Sequence, residues 1–201
     1  MKQAALPRAA PGARRRLSEV LDAAARVFAQ RGYHGASTKD IADLLGMRQA
    51  SLYYYFDSKD AALEAVCREG HQGYVERIRR IARSDASASE RIALALFHQA
   101  APERRDFTLV FLRERRFLPL PARKRIRAFE VQYERAIQRL IEQGIRSGEF
   151  RADLDARMAT LAFFGLGNSA AVWYGREPAV TPERLLRAYV DLLVRALRLT
   201  H

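Results

Sequence analysis

The sequence is poor in the residues that build redox and metal sites. It contains a single cysteine, Cys67, so no internal disulfide can form, which suits a reducing cytoplasm. The four histidines are scattered, and neither an HExxH nor a CxxC spacing occurs. The acidic residues follow the pattern of helix surfaces rather than of a catalytic pair. We therefore predict no metal, no cofactor and no enzymatic activity.

Long apolar runs are also scarce. The N-terminal stretch MKQAALPRAAPGARRR has no apolar core of signal-peptide length. One segment, Met158–Gly175, is uncharged over 18 residues, but its length and apolarity are marginal for a membrane span. A helix buried on most sides, as at an oligomer interface, is the better interpretation of this segment.

Positive charge is what the sequence has in excess. Its 35 Lys and Arg residues outnumber 23 Asp and Glu residues, which gives a net charge of +12. Such a balance favours a polyanionic partner: nucleic acid, an anionic membrane surface or an acidic ligand. The densest basic run is Arg113–Arg127, RERRFLPLPARKRIR. It is either a solvated face or the mouth of a site for an anionic ligand.

The apolar residues recur at helical spacing almost throughout the chain. About half of the 201 residues are apolar, so a sizeable core can form. The spacing predicts an all-α protein of about nine helices, with no strand and no internal repeat. Residues 1–13 are rich in alanine and proline and are predicted to form a disordered basic tail.

Two short helices joined by a glycine turn are predicted near the N-terminus. They read TKDIADLLG and MRQASLYYYF, the arrangement of a helix-turn-helix, whose second helix enters the major groove of DNA. Leu52 and Phe56, four residues apart, can pack this second helix inward. Arg48 and Gln49 carry the hydrogen-bonding groups that read guanine and adenine edges. Small residues such as Ser51 allow close approach to the duplex.

The row of three tyrosines, Tyr53, Tyr54 and Tyr55, has a physical explanation in this setting. Three consecutive helical residues span about 200° of arc, so the rings cannot all face one core. One or two rings are expected to pack, while the others present hydroxyls to phosphates. Lys59, at the start of the next helix, would add a charge where backbone amides already favour phosphate.

The segment AAARVFAQRGYHGASTKDIADLLGMRQASLYYYFDSKDAAL resembles the DNA-binding domain of the TetR family of bacterial transcriptional regulators. The resemblance covers Leu17–Val66 and implies a helix-turn-helix domain at 14–60 and a helical ligand-binding and dimerisation body at 61–201. It implies a pseudo-palindromic operator DNA as partner. Many relatives have Ser-Lys-Gly where this chain has Arg48-Gln49-Ala50, so the operator sequence does not transfer. The implied DNA contacts are Thr38, Lys39, Arg48, Gln49, Ser51, Tyr53, Tyr54, Tyr55 and Lys59.

The body resembles a subgroup of this family that includes repressors of fatty-acid and sterol catabolism. The resemblance is carried by RDFTLVFLRERRFLP, IEQGIRSGEFRADLD and VWYGREPAVTPERL, and it implies an acyl-CoA thioester as effector. A basic mouth over an aromatic interior would suit CoA phosphates and an acyl chain. The candidate ligand-binding residues are Phe107, Phe111, Arg115, Arg116, Phe129, Tyr133, Phe163, Phe164 and Trp173.

The last two predicted helices fit a homodimer interface, because residues 158–175 and 182–199 both carry broad apolar faces. The expected function is a cytoplasmic repressor that a small molecule releases from its operator. An aromatic or drug-like effector is the main alternative to acyl-CoA. A non-regulatory protein that binds nucleic acid or a membrane surface is a further alternative.

Overall fold

The computed structural model describes residues 11–198, and nine α-helices make up most of this part of the chain. Within it, the only β-structure is an isolated bridge between Phe150 and Arg198, which confirms the all-α class. Two 3₁₀ turns, Pro102–Arg104 and Arg115–Phe117, flank the sixth helix. The helices are α1 (Pro11–Gly35), α2 (Thr38–Leu44), α3 (Gln49–Leu52), α4 (Lys59–Ile81), α5 (Ala88–Gln99), α6 (Arg105–Glu114), α7 (Leu120–Arg146), α8 (Ala156–Trp173) and α9 (Pro182–Leu197).

The start of α1 changes the predicted extent of the N-terminal tail. Residues 11–13, assigned to the tail from sequence, are helical in the structure. Proline is tolerated in a first helical turn because its missing N–H would have no partner there. The rest of the predicted tail, residues 1–10, lies outside the described residues.

Side-chain caps determine where several helices begin. The backbone N–H of Asp40 donates to Ser37 Oγ, and the backbone N–H of Ser37 donates to the Asp40 carboxylate, so the two residues form a capping box at the start of α2. Ser58 caps α4, and Thr181 caps α9 ahead of Pro182. Each such cap contributes about 0.5–2 kcal/mol.

The hydrophobic core consists mainly of two clusters that divide α4 between them. The first joins residues of α1–α4, such as Phe28 and Leu52, to Phe107 and Val110 of α6. The second packs the C-terminal half of α4 against α5, α7, α8 and α9, around residues such as Ile137. The helix-turn-helix part therefore shares its core with the body, and a domain boundary at residue 60 stays a proposal.

α8 and α9 are buried on one side only. Phe163 of α8 and Leu193 of α9 lie in the core, whereas Met158, Leu161 and Leu192 are exposed. Among residues 11–198, no helix combines the length and the apolarity that crossing a membrane requires. Exposed apolar side chains thus remain on both α8 and α9, which contact each other.

Candidate DNA interface and effector cavity

The helix-turn-helix consists of α2, a tight turn and α3. Gly46 lies in the turn with φ 63°, a conformation that favours glycine, and the N–H of Met47 donates to the carbonyl of Ala42 at 3.0 Å. Ile41 of α2 and Leu52 of α3 are fully buried, so the two helices are locked by their inner faces. The outer face of α3 is thereby held in a fixed orientation.

The predicted base-reading residues lie at the exposed start of α3. Arg48 and Gln49 are both exposed, as is Ser51. Gln49 Nε2 donates to Thr38 Oγ1 at 2.9 Å, which joins the first turns of α2 and α3. Lys39 pairs with Asp43 on the exposed side of α2, with Nζ and Oδ2 2.7 Å apart. The structure thus leaves these predicted DNA contacts accessible near one another.

The four consecutive aromatic residues divide between surface and core. Tyr53 and Tyr54 are 48% and 87% exposed, Tyr55 is half-buried, and Phe56 is buried. The sequence predicted that α3 continues to Phe56, but in the structure it ends at Leu52. Residues 53–55 instead form turns that lead to the cap of α4. Tyr53 and Tyr54 are therefore the rings most accessible to a duplex.

Lys59 has a structural role that sequence analysis missed. Its Nζ donates to the carbonyls of Tyr33 at 2.9 Å and Ala36 at 3.1 Å, and lies 4.4 Å from the centre of the Tyr33 ring. Two of its three N–H groups are thus used to tie the start of α4 to the end of α1. Only the third N–H group of Lys59 would be available for the predicted contact with a DNA phosphate.

Tyr33 connects the helix-turn-helix domain of residues 14–60, here called the head, to the body of residues 61–201. α1 is kinked at Gly32, where φ is 68° and ψ is 171°, and the backbone N–H of Tyr33 donates to Glu114 Oε2 at 2.8 Å. The Tyr33 ring stacks on Phe117, with centroids 5.4 Å apart. Its hydroxyl donates to Asp60, and this hydrogen bond raises the pKa of Tyr33 to about 12. The end of α6 is therefore bonded directly to the head.

A second link joins the start of α7 to α4. Arg125 makes a bidentate ion pair with Glu64, with Nε–Oε1 and Nη2–Oε2 distances of 2.7 and 2.8 Å. Arg125 belongs to the basic run of residues 113–127, so one of these cations serves the contact between helices.

A cavity of about 190 Å³ lies among α4, α5, α6, α7 and α8. Five of the nine predicted ligand-binding residues border it: Phe107, Phe111, Arg115, Tyr133 and Phe164. The wall also contains residues that sequence analysis missed. These are Gly70, His71, Tyr74, Gln99, Thr108, Leu112, Arg127, Glu130, Glu134, Leu161 and Asn168.

The other four predicted ligand-binding residues do not border this cavity. Arg116 is exposed, with its guanidinium 4.8 Å from the centre of the Phe117 ring. Phe129 lies one residue before Glu130 and so about 100° around α7 from the cavity wall. Phe163 is fully buried in the core beside Phe164, and Trp173 is exposed at the end of α8.

Arginine and glutamate side chains form a continuous series of ion pairs at the cavity. Arg115 pairs with Glu130, and Arg127 bridges Glu130 and Glu134 at 2.7 and 2.9 Å. Arg157 is the last member of the series, and its Nη1 lies 3.3 Å from Glu134 Oε2. The series as a whole has three arginines and two glutamates, but Arg157 does not border the cavity, so the charged lining residues Arg115, Arg127, Glu130 and Glu134 balance. Because these arginines are partly exposed, the series defines the mouth of the cavity.

The deeper wall is aromatic and is backed by two buried titratable groups. The His71 ring lies 4.0 Å from that of Phe111, and its Nδ1 is 3.2 Å from the carbonyl oxygen of Cys67. Burial lowers the pKa of His71, so the imidazole is neutral at pH 7. The Cys67 thiol behind it is buried, and burial raises its pKa to about 12.

The exposed helix-turn-helix and the cavity in the body define a ligand-responsive DNA-binding regulator. The family described as "Bacterial regulatory proteins, tetR family" matches residues 20–66. The family described as "Tetracyclin repressor-like, C-terminal domain" matches residues 85–197. The chain therefore belongs to the TetR family of bacterial transcriptional regulators, as the sequence resemblance implied. In the described part of the chain, no group of three or more potential metal ligands occurs.

Similar sequences and solved structures cover nearly the whole chain. The fatty acid metabolism regulator protein of Bacillus subtilis is 27% identical, over 88% of this chain and 92% of the relative. The ketosteroid transcriptional regulator KstR2 of Mycobacterium tuberculosis has a TM-score of 0.80 at 26% identity, over 92% and 96% of the two chains. The regulator FadR from Bacillus subtilis, solved with stearoyl-CoA, has a TM-score of 0.71 at 26% identity, over 90% and 99%.

Proposed function

We propose that this chain is a cytoplasmic repressor that an acyl-CoA thioester releases from its operator. The observation that carries the proposal is the cavity itself. Its aromatic interior can take an acyl group, and the partly exposed guanidinium groups of Arg115 and Arg127 at its mouth can donate hydrogen bonds to CoA phosphates. The named functions of the fatty acid and ketosteroid regulators, and the stearoyl-CoA bound to FadR, support this choice.

The repressor would act as a dimer formed through α8 and α9. Their exposed Met158, Leu161 and Leu192 would be covered by the same helices of a second copy, as in a four-helix interface. Such a dimer presents two copies of α3 to one side of a duplex.

A dimer of this kind should protect a pseudo-palindromic operator with half-site centres about 34–36 Å apart. DNase I footprinting of the region upstream of the regulated genes measures this. Leu192→Glu should abolish the symmetric footprint, because it places a charge in the dimer interface. Asp191→Glu, a change at the neighbouring exposed position, is the control. A footprint that covers only one half-site at full occupancy would rule out the symmetric dimer.

The cavity is placed to control the spacing of the two heads. α6 contributes Phe107 and Phe111 to the wall and ends at Glu114, which holds the N–H of Tyr33 in the head. An effector lowers operator affinity only if it binds better to a dimer whose heads do not fit successive grooves. Operator DNA must then weaken effector binding by the same factor, typically about 5- to 150-fold.

Titration calorimetry with acyl-CoA thioesters and their free acids tests the choice of effector. We expect thioesters to bind and free acids to bind much more weakly, because only thioesters supply phosphates to the mouth. Arg115→Gln should weaken thioester binding roughly twofold to tenfold, since Arg115 is half exposed and screened by solvent.

Arg123→Gln is the matched control, because Arg123 is exposed on α7 and does not border the cavity. If no thioester binds, or if free acids bind equally well, the effector is not a CoA ester. The aromatic wall would then favour the aromatic or drug-like alternative.

A further inference from the structure

The inner wall of the cavity contains a buried amide oxygen with no hydrogen-bond partner. Gln99, the last residue of α5, is only 4% exposed. Its Nε2 donates to Asn168 Oδ1 at 3.2 Å, whereas its Oε1 is enclosed and unpaired. Buried polar groups without partners destabilise a fold and are rare in native proteins, so this one requires an explanation.

The position of this amide depends on a close approach between two helices. A Cβ atom at Gly167 of α8 would lie 2.9 Å from Gln99 Cγ and 3.0 Å from Nε2. Glycine at this position therefore makes room for the Gln99 side chain between α5 and α8. The same two helices carry Gln99 and Asn168 to the wall of the cavity.

The wall also contains a hydroxyl cluster and one further acceptor, the ring of His71. The Tyr74 hydroxyl donates to the Gln99 carbonyl at 3.1 Å and lies 3.5 Å from Thr108 Oγ1. His71 is neutral, and the contact of Nδ1 with the Cys67 carbonyl places the proton on Nδ1. Nε2 of His71 is then an acceptor. An unsubstituted acyl chain filling this space would offer these groups no donor.

We propose that the acyl group of the effector is short and carries a hydroxyl that donates to Gln99 Oε1. This inference rests on the proposed acyl-CoA effector and specifies its acyl part. A hydroxyl is required rather than a keto group because the unpaired atom is an acceptor. A short chain is required because about 190 Å³ is below the range of roughly 300–1,000 Å³ that drug-sized ligands occupy.

Calorimetry with four thioesters of one chain length tests the proposal: butyryl-CoA, 3-hydroxybutyryl-CoA, 4-hydroxybutyryl-CoA and acetoacetyl-CoA. We expect one of the hydroxylated esters to bind roughly 10- to 100-fold tighter than butyryl-CoA, because only it satisfies the amide oxygen. Acetoacetyl-CoA, which has a keto group and no donor, should gain no such advantage.

Gln99→Met should bring the affinities for the hydroxylated and plain esters within about twofold of each other, since the acceptor is gone. The melting temperature of this variant checks that it folds, because the change removes the unpaired oxygen and also the hydrogen bond that Nε2 donates to Asn168. Gln138→Met is the matched control: Gln138 bonds to Glu142 on α7, away from the cavity, and its loss should leave the hydroxyl preference intact.

The outcomes separate this inference from the proposed function. If no thioester and no other acyl-CoA binds, the proposed effector class is wrong. If butyryl-CoA or acetoacetyl-CoA binds as tightly as both hydroxylated esters, the effector class stands and the hydroxyl assignment is overturned. The wild-type comparison decides this even if Gln99→Met fails to fold.

Discussion

Glu114→Ala is expected to leave operator binding largely in place but to reduce the effector's control over it. In the wild type, saturating effector should weaken operator affinity by about 5- to 150-fold. Glu114 is the last residue of α6, whose other face lines the cavity, and its carboxylate holds the backbone N–H of Tyr33 in the head. Without this hydrogen bond, a movement of α6 is transmitted less directly to the head. The factor by which saturating effector weakens operator affinity should therefore decrease severalfold.

Fluorescence anisotropy of labelled operator, with and without effector, measures this factor. Glu114→Gln is the matched control, because its amide carbonyl can still accept from Tyr33 and should preserve most of the coupling. If Glu114→Ala keeps the full factor, the signal passes through α4 and the Arg125–Glu64 pair instead.

Arg48→Ala and Gln49→Ala should each lower affinity for the best operator by about 1–3 kcal/mol if the contact is bidentate. Each change should also relax the preference at one base position, because both side chains are exposed at the start of α3. Binding to a library of operator variants measures affinity and preference together.

Lys39→Ala is the comparison for these two variants. Lys39 is exposed on α2 and pairs with its neighbour Asp43. If Lys39 contacts a phosphate, its loss should weaken binding to all operator sequences alike. It should also reduce the slope of log affinity against log salt concentration by about one. If Lys39→Ala instead changed base preference, while the Arg48 and Gln49 variants did not, the roles assigned to α2 and α3 would be reversed.

The helix-turn-helix could be predicted because its signals are local. The Gly46 turn and the inward Leu52 lie close together in the sequence and are confirmed by the structure, and the Ser37 and Asp40 capping box lies within 16 residues of Leu52. The end of α3 was harder to predict, because the tyrosines that follow Leu52 are compatible with either a helix or a turn.

Contacts between distant residues could not be predicted in this way. The Tyr33–Glu114 hydrogen bond joins residues 81 apart, and the Gln99–Asn168 bond joins residues 69 apart. Both depend on how the helices stack, which apolar spacing alone does not specify. Phe163 and Phe164 illustrate the limit: they are adjacent and equally apolar, yet one is core and the other borders the cavity.

The burial of Cys67 makes this chain convenient for site-specific labelling. With a pKa of about 12 and no exposed surface, its thiol has almost no thiolate at neutral pH and is shielded from reagents. A cysteine introduced on the exposed side of α2, for example by Asp43→Cys, would therefore react alone with a spin label or fluorophore. The distance between the two labels of a dimer could then be followed directly as effector is added.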